Sequence, residues 1–365
     1  MPSSASSRDA GSPLRVSVVM TVKNEATTLP ELLDSLIGQT RRPDEVIVVD
    51  GGSDDGTVEV LDRWHDRLPL RAISLPGATI AEGRNAGLAA ATGEIVAVTD
   101  GGVVLQPDWL ERLVAPFEEP DAPDVVAGFF VADPRTAVEL AIGVTTLPDA
   151  EEIDPRRFLP SSRSVAFRRS LFVAGIRYPA WLDYCEDVIF DLRLQRAGAR
   201  FRFEPRALVR YRPRPSLAAF ALQYFRYARG DGKAGLFAAR HLIRYATYLG
   251  FLPLVAWRRR WWLVALAFGG AAWYLRRPYR RLWRRRQHYP RHWLVRAALL
   301  IPLVRLIGDL AKQAGYPVGL AWRCRRYGIR RTWQSIPESM PPAMPDAGTL
   351  LPTTRPAGES LADAT

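Results

Sequence analysis

Cysteine is scarce in this chain, which has only Cys185 and Cys324 among its 365 residues. Two cysteines cannot build the disulfide framework of a small secreted domain, so a reducing compartment is expected. The first 14 residues lack an apolar core, which argues against a signal peptide and predicts a short disordered arm. Residues 336–365 are rich in Pro, Ala and Thr, and we expect them to form a disordered tail.

Acidic residues are nearly absent from residues 205–335, which contain 28 Lys and Arg but only two Asp or Glu. Residues 1–204 have the opposite balance, with 21 basic and 32 acidic residues. The hydrophobic content of 48% is enough for a core, so this asymmetry favours an acidic α/β domain joined to a basic, Trp-rich half. A basic and aromatic surface is typical of proteins that bind anionic lipid or nucleic acid.

Uninterrupted apolar runs long enough for a transmembrane helix are also missing. The basic half has apolar runs at residues 245–257, 261–275 and 293–310, of which the third is interrupted by arginines. A straight transmembrane helix needs about 20 apolar residues, and the arginines that flank these runs define no orientation. We therefore expect residues 233–335 to form membrane-associated helices that lie in the cytoplasmic leaflet. A tilted two-helix hairpin and ordinary buried helices are the alternatives.

Strands and helices alternate in the first half of the chain. Val16–Val22 and Glu45–Asp50 are apolar runs rich in β-branched residues, as expected of strands covered on both faces. Between them, Thr28 and Glu31 form a capping-box pattern, which is followed by leucines at helical spacing. The second strand ends at Asp50 and leads into a Gly-rich segment that allows the backbone to approach a ligand closely.

The same alternation continues through a domain spanning residues 15–232. It predicts an α/β fold, with a mostly parallel sheet and helices on both faces. Residues 134–160 are expected to be irregular and to lie over the ligand crevice. Further strands are predicted at 70–74, 94–99, 124–131, 164–167, 201–203 and 207–211, and further helices at 57–67, 80–91, 108–117, 186–197 and 217–228.

Two carboxylates, Asp50 and Asp100, end two strands of the predicted sheet. We expect them in one crevice, because ligands of open α/β sheets bind at the carboxyl ends of strands. They would repel each other unless a cation or a proton donor lies between them. A sugar nucleotide with a divalent metal meets this need: Asp50 would bind the base or ribose, and Asp100 would bind Mg²⁺ or Mn²⁺. Alternatively, each aspartate, being followed by Gly, caps a turn.

Two further groups of polar residues lie on predicted helices. Glu186 and Asp187 open a helix whose dipole favours the carboxylate form, so Asp187 could accept the proton of an acceptor hydroxyl; simple capping is the alternative. Gln223, Arg226 and Tyr227 share one face of a later helix. Arg226 could pair with a diphosphate and Gln223 with an acceptor sugar, unless this face is solvated or faces lipid.

The chain contains five motifs, which are VSVVMTVKNE, VIVVDGGSDDGT, AEGRNAGLAAATGEIVAVTD, the pair Glu186-Asp187, and QYFRYARG. In this order and spacing they resemble family 2 glycosyltransferases, which are inverting enzymes with the GT-A fold, over residues 16–232. The basic half resembles that of membrane-bound members that build bacterial exopolysaccharide or envelope glycans. The resemblance therefore implies a GT-A domain followed by C-terminal membrane-associated helices.

The resemblance also implies functional roles. It implies a nucleotide-sugar donor, usually with a divalent metal, either Mg²⁺ or Mn²⁺. It implies Asp187 as the catalytic base and Asp100 at the metal and the diphosphate. It implies acceptor or diphosphate contacts for Glu186, Gln223 and Arg226. The residues that it implies around the nucleotide sugar are Thr21, Glu25, Asp50, Arg84, Asn85 and Asp100.

Two positions depart from the pattern of the family. The usual Asp-x-Asp is Asp100-Gly101-Gly102 in this chain. Metal binding then depends on Asp100, the diphosphate and waters, or on a ligand from another residue. QYFRYARG resembles the Gln-x-x-Arg-Trp motif of processive members, but Tyr227 stands where Trp is usual, which weakens a prediction of processivity.

We therefore expect inverting transfer of a sugar from a nucleotide-sugar donor to a hydroxyl of a lipid-linked or polysaccharide acceptor. The expected place is the cell membrane, with the catalytic domain facing the cytoplasm. The expected partners are the donor, the acceptor and an anionic membrane surface, but no nucleic acid. One alternative is a nucleotidyltransferase that acts on a sugar phosphate, although Lys23 has no Gly-rich phosphate loop beside it. The other is a non-catalytic protein that binds membrane or nucleic acid.

Overall fold

The computed structural model describes residues 13–336. The predicted arm and tail therefore lie outside the described residues, except for their innermost positions. Leu14 and Ile336, which we assigned to these segments, are both buried. The folded part of the chain thus extends slightly beyond the predicted limits at both ends.

An eight-stranded sheet forms the centre of the described structure. Its strands are β1 (Val16–Val22), β2 (Glu45–Asp50), β3 (Leu70–Ser74), β4 (Ile95–Asp100), β5 (Val103–Leu105), β6 (Val125–Ala132), β7 (Val165–Arg168) and β8 (Phe201–Tyr211). They lie in the order β3-β2-β1-β4-β7-β6-β8-β5. The first four strands in this order are parallel neighbours, as the alternation of strands and helices predicts.

The rest of the sheet is mixed, so the predicted mostly parallel sheet is correct only for its first half. β7 is antiparallel to both β4 and β6, and β5 is antiparallel to β8, whereas β6 and β8 are parallel. The short strand β5 was not predicted. It starts directly after the Gly101-Gly102 turn and pairs with the end of β8, Val103 with Tyr211 and Leu105 with Val209.

Helices cover both faces of the sheet, as predicted. The helices are α1 (Leu29–Ile37), α2 (Thr57–Trp64), α3 (Ile80–Ala90), α4 (Trp109–Val114), α5 (Ala137–Thr146), α6 (Arg169–Val173), α7 (Glu186–Arg196), α8 (Leu217–Ala234), α9 (Ala238–Tyr245), α10 (Leu252–Arg258), α11 (Trp261–Arg284) and α12 (Arg291–Tyr327). One core includes Leu32 of α1 and Trp109 of α4, and the other includes Leu88 of α3 and Phe190 of α7. Buried strands thus have apolar neighbours on both sides, as their unbroken apolar sequences require.

The register of the parallel strands places the ends of three strands together. Val22 of β1 pairs with Asp50 of β2, and Thr21 of β1 pairs with Asp100 of β4. The carboxyl ends of β1, β2 and β4 therefore lie at the same edge of the sheet. This is the edge at which open α/β sheets bind their ligands.

Two local predictions are wrong. The segment 134–160 contains the helix α5, whose Leu140 and Ala141 are fully buried, so it is not irregular throughout. The expected capping box at the start of α1 is also missing, because the side chain of Thr28 makes no cap hydrogen bond. The Thr28 hydroxyl donates instead to the carboxylate of Glu25.

The long helix α12 packs along α8 and joins the basic half to the α/β domain. Small residues allow this close approach: a Cβ atom on Gly319 would lie 2.0 Å from the carbonyl oxygen of Arg229, and one on Gly315 would lie 2.1 Å from that of Phe225. The domain boundary predicted at residue 232 falls inside α8, which continues to Ala234. The two halves are therefore packed against each other rather than joined by a simple linker.

The predicted apolar runs of the basic half are helical. A π-helical segment, Ala246–Phe251, joins α9 to α10, and α11 and α12 extend beyond the second and third runs. Within residues 13–336, no helix combines the length and the apolar character needed to span a bilayer.

Candidate active site

A cavity of about 880 Å³ opens at the carboxyl ends of β1 and β4. Its walls come from both halves of the chain, including the turn after β4, the start of α7 and the helices α8, α9 and α12. Six of the residues predicted for the site line it. These are Thr21, Glu25, Arg84, Asp100, Glu186 and Asp187.

Arg84 lies at the centre of the acidic part of the site. Its side chain is only 3% exposed and projects from α3. One guanidinium nitrogen lies 2.6 Å from Oδ1 of Asp100, and the other lies 2.6 Å from Oε1 of Glu186. The planar guanidinium thus connects the end of β4 to the start of α7, a geometry that suits arginine better than lysine.

The two carboxyl groups beside Arg84 differ in acidity. Burial disfavours the charged form of Asp100, but the charges of Arg84 and Arg163 outweigh it and lower the pKa of Asp100. Burial and the charge of Asp187 raise the pKa of Glu186 to about 7, although the charge of Arg84 opposes them. The Asp100–Arg84 ion pair therefore persists at neutral pH, while Glu186 titrates near pH 7.

Asp187 lies in the first turn of α7, and its Oδ1 accepts a hydrogen bond of 2.8 Å from the backbone N–H of Val188. The preceding Cys185 has a φ of +67°, in the left-handed region that few residues other than glycine adopt. The chain turns at this point, and Glu186 contacts Arg84 while Asp187 lines the cavity. The carboxylate of Asp187 is thus available to a molecule in the cavity.

Glu25 faces the same turn as Asp100. A Cβ atom on Gly102 would lie 3.1 Å from Oε2 of Glu25, and one on Gly101 would lie 3.2 Å from its Cγ. Burial raises the pKa of Glu25, the Thr28 hydrogen bond lowers it, and the charge of Asp100 raises it further. The Glu25 carboxylate therefore occupies the space into which a side chain at position 102 would extend.

Two residues that were predicted to contact the nucleotide sugar do not line the cavity. Asp50 is 2% exposed and does not line the cavity, and its carboxylate accepts hydrogen bonds from the backbone N–H groups of Gly52 and Ser53. Asn85 binds the backbone of Tyr178, donating to its carbonyl oxygen at 2.8 Å and accepting from its N–H at 2.9 Å. Asp50 thus caps the turn after β2, and Asn85 fixes a loop.

Gln223 and Arg226 also lie outside the cavity lining. Gln223 donates to the hydroxyl of Tyr227 at 2.8 Å, and Arg226 donates to the hydroxyl of Tyr184 at 3.1 Å. Both tyrosines line the cavity. The two polar side chains therefore position tyrosines, and their predicted direct contact with a substrate has no support in this geometry.

Arg163 lines the cavity and was not predicted. Its Nε lies 3.5 Å from Oδ2 of Asp100, and its guanidinium lies over the ring of Tyr211, 4.6 Å from the centroid. Its carbonyl oxygen accepts a hydrogen bond of 2.9 Å from the hydroxyl of Thr99. The only sequence signal was an arginine directly before a short buried strand, and its proximity to Asp100 depends on the antiparallel pairing of β7 with β4.

Among residues 13–336, no group of three or more His, Cys, Asp and Glu side chains is arranged to hold a metal ion. Asp100 and Glu25 are nevertheless two carboxylates whose mutual repulsion contributes to the raised pKa of Glu25. Carboxylate oxygens suit Mg²⁺ and Mn²⁺, and such sites commonly complete their coordination with waters and substrate phosphates. This pair therefore fits a divalent cation that is bound together with a diphosphate.

The parallel half of the sheet, its covered faces and the cavity at its carboxyl edge define a GT-A-like α/β fold. Residues 17–142, about a third of the chain, match Glycosyl transferase family 2. The match includes β1, β2 and β4 with Glu25, Arg84 and Asp100. Asp187 and the basic half lie outside it.

Curated relatives carry names of the same class. The chain is 32% identical over 259 residues to the pre-mycofactocin glycosyltransferase of Mycobacterium tuberculosis strain H37Rv, covering 66% of this chain and 50% of the relative. It is 27% identical over 212 residues to the uncharacterized glycosyltransferase EpsJ of Bacillus subtilis strain 168, covering 55% of this chain and 62% of the relative. The chain thus spans about half to three fifths of the length of these relatives.

The fold is also similar to that of the mannosyltransferase PcManGT from Pyrobaculum calidifontis, whose structure is a complex with GDP-Man and Mn²⁺. The TM-score is 0.50 at 21% sequence identity, and the match covers 88% of this chain and 90% of that one. This likeness extends over the basic half and supports the GT-A-like fold.

Replacing Arg84 with Gln should destabilise the fold by about 3–5 kcal/mol at pH 7.5, because two buried carboxyl groups lose their shared cation. The pKa of Asp100 then rises above its unfolded value and that of Glu186, which is already raised, rises further, so the deficit should shrink as the pH falls and the folded state takes up protons. Urea unfolding between pH 5 and 8 measures the difference in unfolding free energy between Arg84→Gln and the unmodified protein. The exposed Arg42→Gln is the control. An Arg84→Gln deficit that is small or independent of pH would contradict the described ion-pair geometry.

Proposed function

We propose that this protein transfers a glycosyl group from a nucleotide-sugar donor to a hydroxyl of a lipid-linked or polysaccharide acceptor, with inversion at the anomeric carbon. The main support is that Glu25, Arg84, Asp100 and Asp187 surround one cavity at the carboxyl edge of a glycosyltransferase domain. The family match also favours glycosyl transfer over nucleotidyl transfer and over purely non-catalytic binding.

Asp187 is the general base in this mechanism. It lines the cavity, whereas the adjacent Glu186 is bound to Arg84. Its carboxylate removes the proton of the acceptor hydroxyl while that oxygen attacks the anomeric carbon and the bond to the nucleoside diphosphate breaks. Arg163 and Arg214 line the cavity and provide positive charge for the departing diphosphate.

Replacing Asp187 with Asn should lower turnover by about 10²–10⁴-fold, because the amide cannot accept the proton. Donor binding should be retained, since Oδ1 of the amide can still accept the hydrogen bond from the backbone N–H of Val188. A thermal-shift screen of sugar nucleotides would identify the donor, and release of nucleoside diphosphate would measure turnover. The exposed Asp62→Asn is the matched control. Equal turnover of Asp187→Asn and the unmodified protein would exclude Asp187 as the base.

We propose that Asp100 and Glu25 together hold Mg²⁺ or Mn²⁺ when the donor is bound. Glu25 would serve as the second carboxylate at the position where Gly102 replaces the usual aspartate, since its Oε2 lies beside the vacant side-chain position. The cation would neutralise charge on the diphosphate.

Mn²⁺ affinity in the presence of a nucleoside diphosphate should fall about 10–100-fold in Glu25→Gln. In the unmodified protein, Mn²⁺ affinity should rise as the pH passes the raised pKa of Glu25, since this carboxylate must be deprotonated to bind the metal. Electron paramagnetic resonance of free Mn²⁺ measures both effects without an activity assay. The exposed Glu59→Gln serves as the control. Unchanged affinity in Glu25→Gln would remove Glu25 from the metal site.

We propose that the basic half holds the enzyme on an anionic membrane surface, with the catalytic domain on the cytoplasmic side. The support is a set of exposed tryptophans in α10 and α11, with Trp257, Trp261 and Trp273 being 73%, 81% and 68% exposed. Exposed arginines 258–260 lie between these helices. Exposed tryptophan beside arginine is the pattern of an interfacial helix.

The protein should sediment with phosphatidylglycerol vesicles, but not with phosphatidylcholine vesicles, and salt should weaken this binding. Changing Arg258, Arg259 and Arg260 to Gln should weaken it by about a hundredfold, at about 1 kcal/mol per residue. A triple Gln variant of the exposed Arg42, Arg63 and Arg67 on the α/β domain should bind normally. Tighter binding to duplex DNA than to these vesicles would instead favour a nucleic-acid partner.

A further inference from the structure

The cavity extends past the acidic site to the place where α8, α9 and α12 meet. The residues that line this part belong to the basic half, and no role has been given to them above. They are Asp231, Arg240, His241, Arg244 and Lys312. We refer to them as the basic subsite.

The two acidic residues of the basic half, Asp231 and Asp309, are both at or beside this subsite and are both engaged. Asp231 lies 3.1 Å from Nε2 of His241 and accepts a hydrogen bond of 3.4 Å from the thiol of Cys185. Asp309 accepts from Nε of Arg244 at 3.0 Å and from the hydroxyls of Tyr248 and Tyr274. These carboxylates therefore neutralise only part of the local positive charge.

Lys312 has no such partner. Within the described part of the chain, its ammonium group makes no hydrogen bond or ion pair, and it lies over the ring of Tyr224, 4.6 Å from the centroid. Burial and the charges of Arg244 and Arg305 lower the pKa of Lys312 to about 8, while the charge of Asp309 opposes them. A partly buried ammonium without a counter-ion on a cavity wall is a favourable position for an anion.

Arg240 supplies a second cation without a carboxylate partner in the described structure. Its guanidinium lies 4.7 Å from the ring centroid of Phe237, and both residues line the cavity. The subsite also adjoins the base: Cys185, which contacts Asp231, is two residues before Asp187. A molecule held at Lys312 thus occupies the same cavity as the proposed catalytic base.

We propose that the basic subsite binds a phosphate ester group on the acceptor, and that Lys312 and Arg240 are its principal contacts. A phosphate monoester carries nearly two negative charges at neutral pH, which matches the two cations that lack partners. This inference rests on the proposed glycosyl transfer and specifies its acceptor as a phosphate-bearing molecule. The phosphate belongs either to a soluble ester or to a lipid headgroup.

Lysine acylation tests the proposal directly, because Lys23, Lys233 and Lys312 are the three lysines of the chain. At pH 8, glycerol 3-phosphate should slow acetylation of Lys312 by fivefold or more and leave Lys233 unchanged, whereas glycerol should protect neither. Micelles of dihexanoyl phosphatidic acid are the lipid arm: stronger protection by these micelles identifies a headgroup, and stronger protection by glycerol 3-phosphate identifies a soluble ester. No protection by either phosphate would overturn the proposal.

Calorimetric titration with the more protective ester provides a second measurement. Lys312→Gln should weaken binding by about tenfold or more, because a charged hydrogen bond is lost, and Lys312→Arg should retain it. Arg330→Gln, an exposed change in the same half, should have no effect. Equal ester binding by Lys312→Gln and the unmodified protein would refute the assignment.

Nucleoside diphosphate binding separates this inference from the proposed function. If the protein binds the diphosphate, but neither the diphosphate nor any ester protects Lys312, the assignment of the basic subsite fails and the proposed glycosyl transfer stands. If a nucleoside diphosphate itself protects Lys312, the subsite belongs to the donor and the acceptor assignment is overturned. If no sugar nucleotide or diphosphate binds at all, the proposed glycosyl transfer fails.

Discussion

The guanidinium of Arg84 is the interaction on which the acidic site depends. It is buried between Asp100 at the end of β4 and Glu186 at the start of α7, with both ion-pair distances at 2.6 Å. The charges of Arg84 and Arg163 lower the pKa of Asp100, whereas burial and the charge of Asp187 raise the pKa of Glu186 to about 7. The same contact fixes the start of α7 and thereby the position of Asp187.

The acidic and the basic halves of the sequence face each other across the cavity of the folded chain. The α/β domain supplies carboxylates to one side of the cavity, and the helices of the basic half supply Arg240, Arg244 and Lys312 to the other. In the proposed reaction, the donor diphosphate lies at the acidic part of the cavity, and the phosphate of the acceptor lies at the basic subsite. Close packing of α12 on α8, which Gly315 and Gly319 allow, brings these charges together.

Sequence reasoning identified every strand except β5, most helices and six residues of the cavity, but four of the polar residues that it placed at the site do not line the cavity. Asp50 caps a turn, Asn85 holds a loop, and Gln223 and Arg226 bind tyrosine hydroxyls. A polar side chain at the end of a strand has the same local sequence whether it binds a ligand or a backbone amide. Residue type and spacing could not distinguish these two uses.

The sequence by itself determined the buried strands, the edge at which their carboxyl ends meet and the presence of Asp100 there. These features follow from apolar patterning and from the rules of parallel sheets, which depend on neighbouring residues. Only the tertiary structure decided which charges became partners. Arg84 and Glu186 are 102 residues apart, and Lys312 reaches the cavity through the packing of α12. Such contacts arise from the packing of distant elements, which local sequence does not encode.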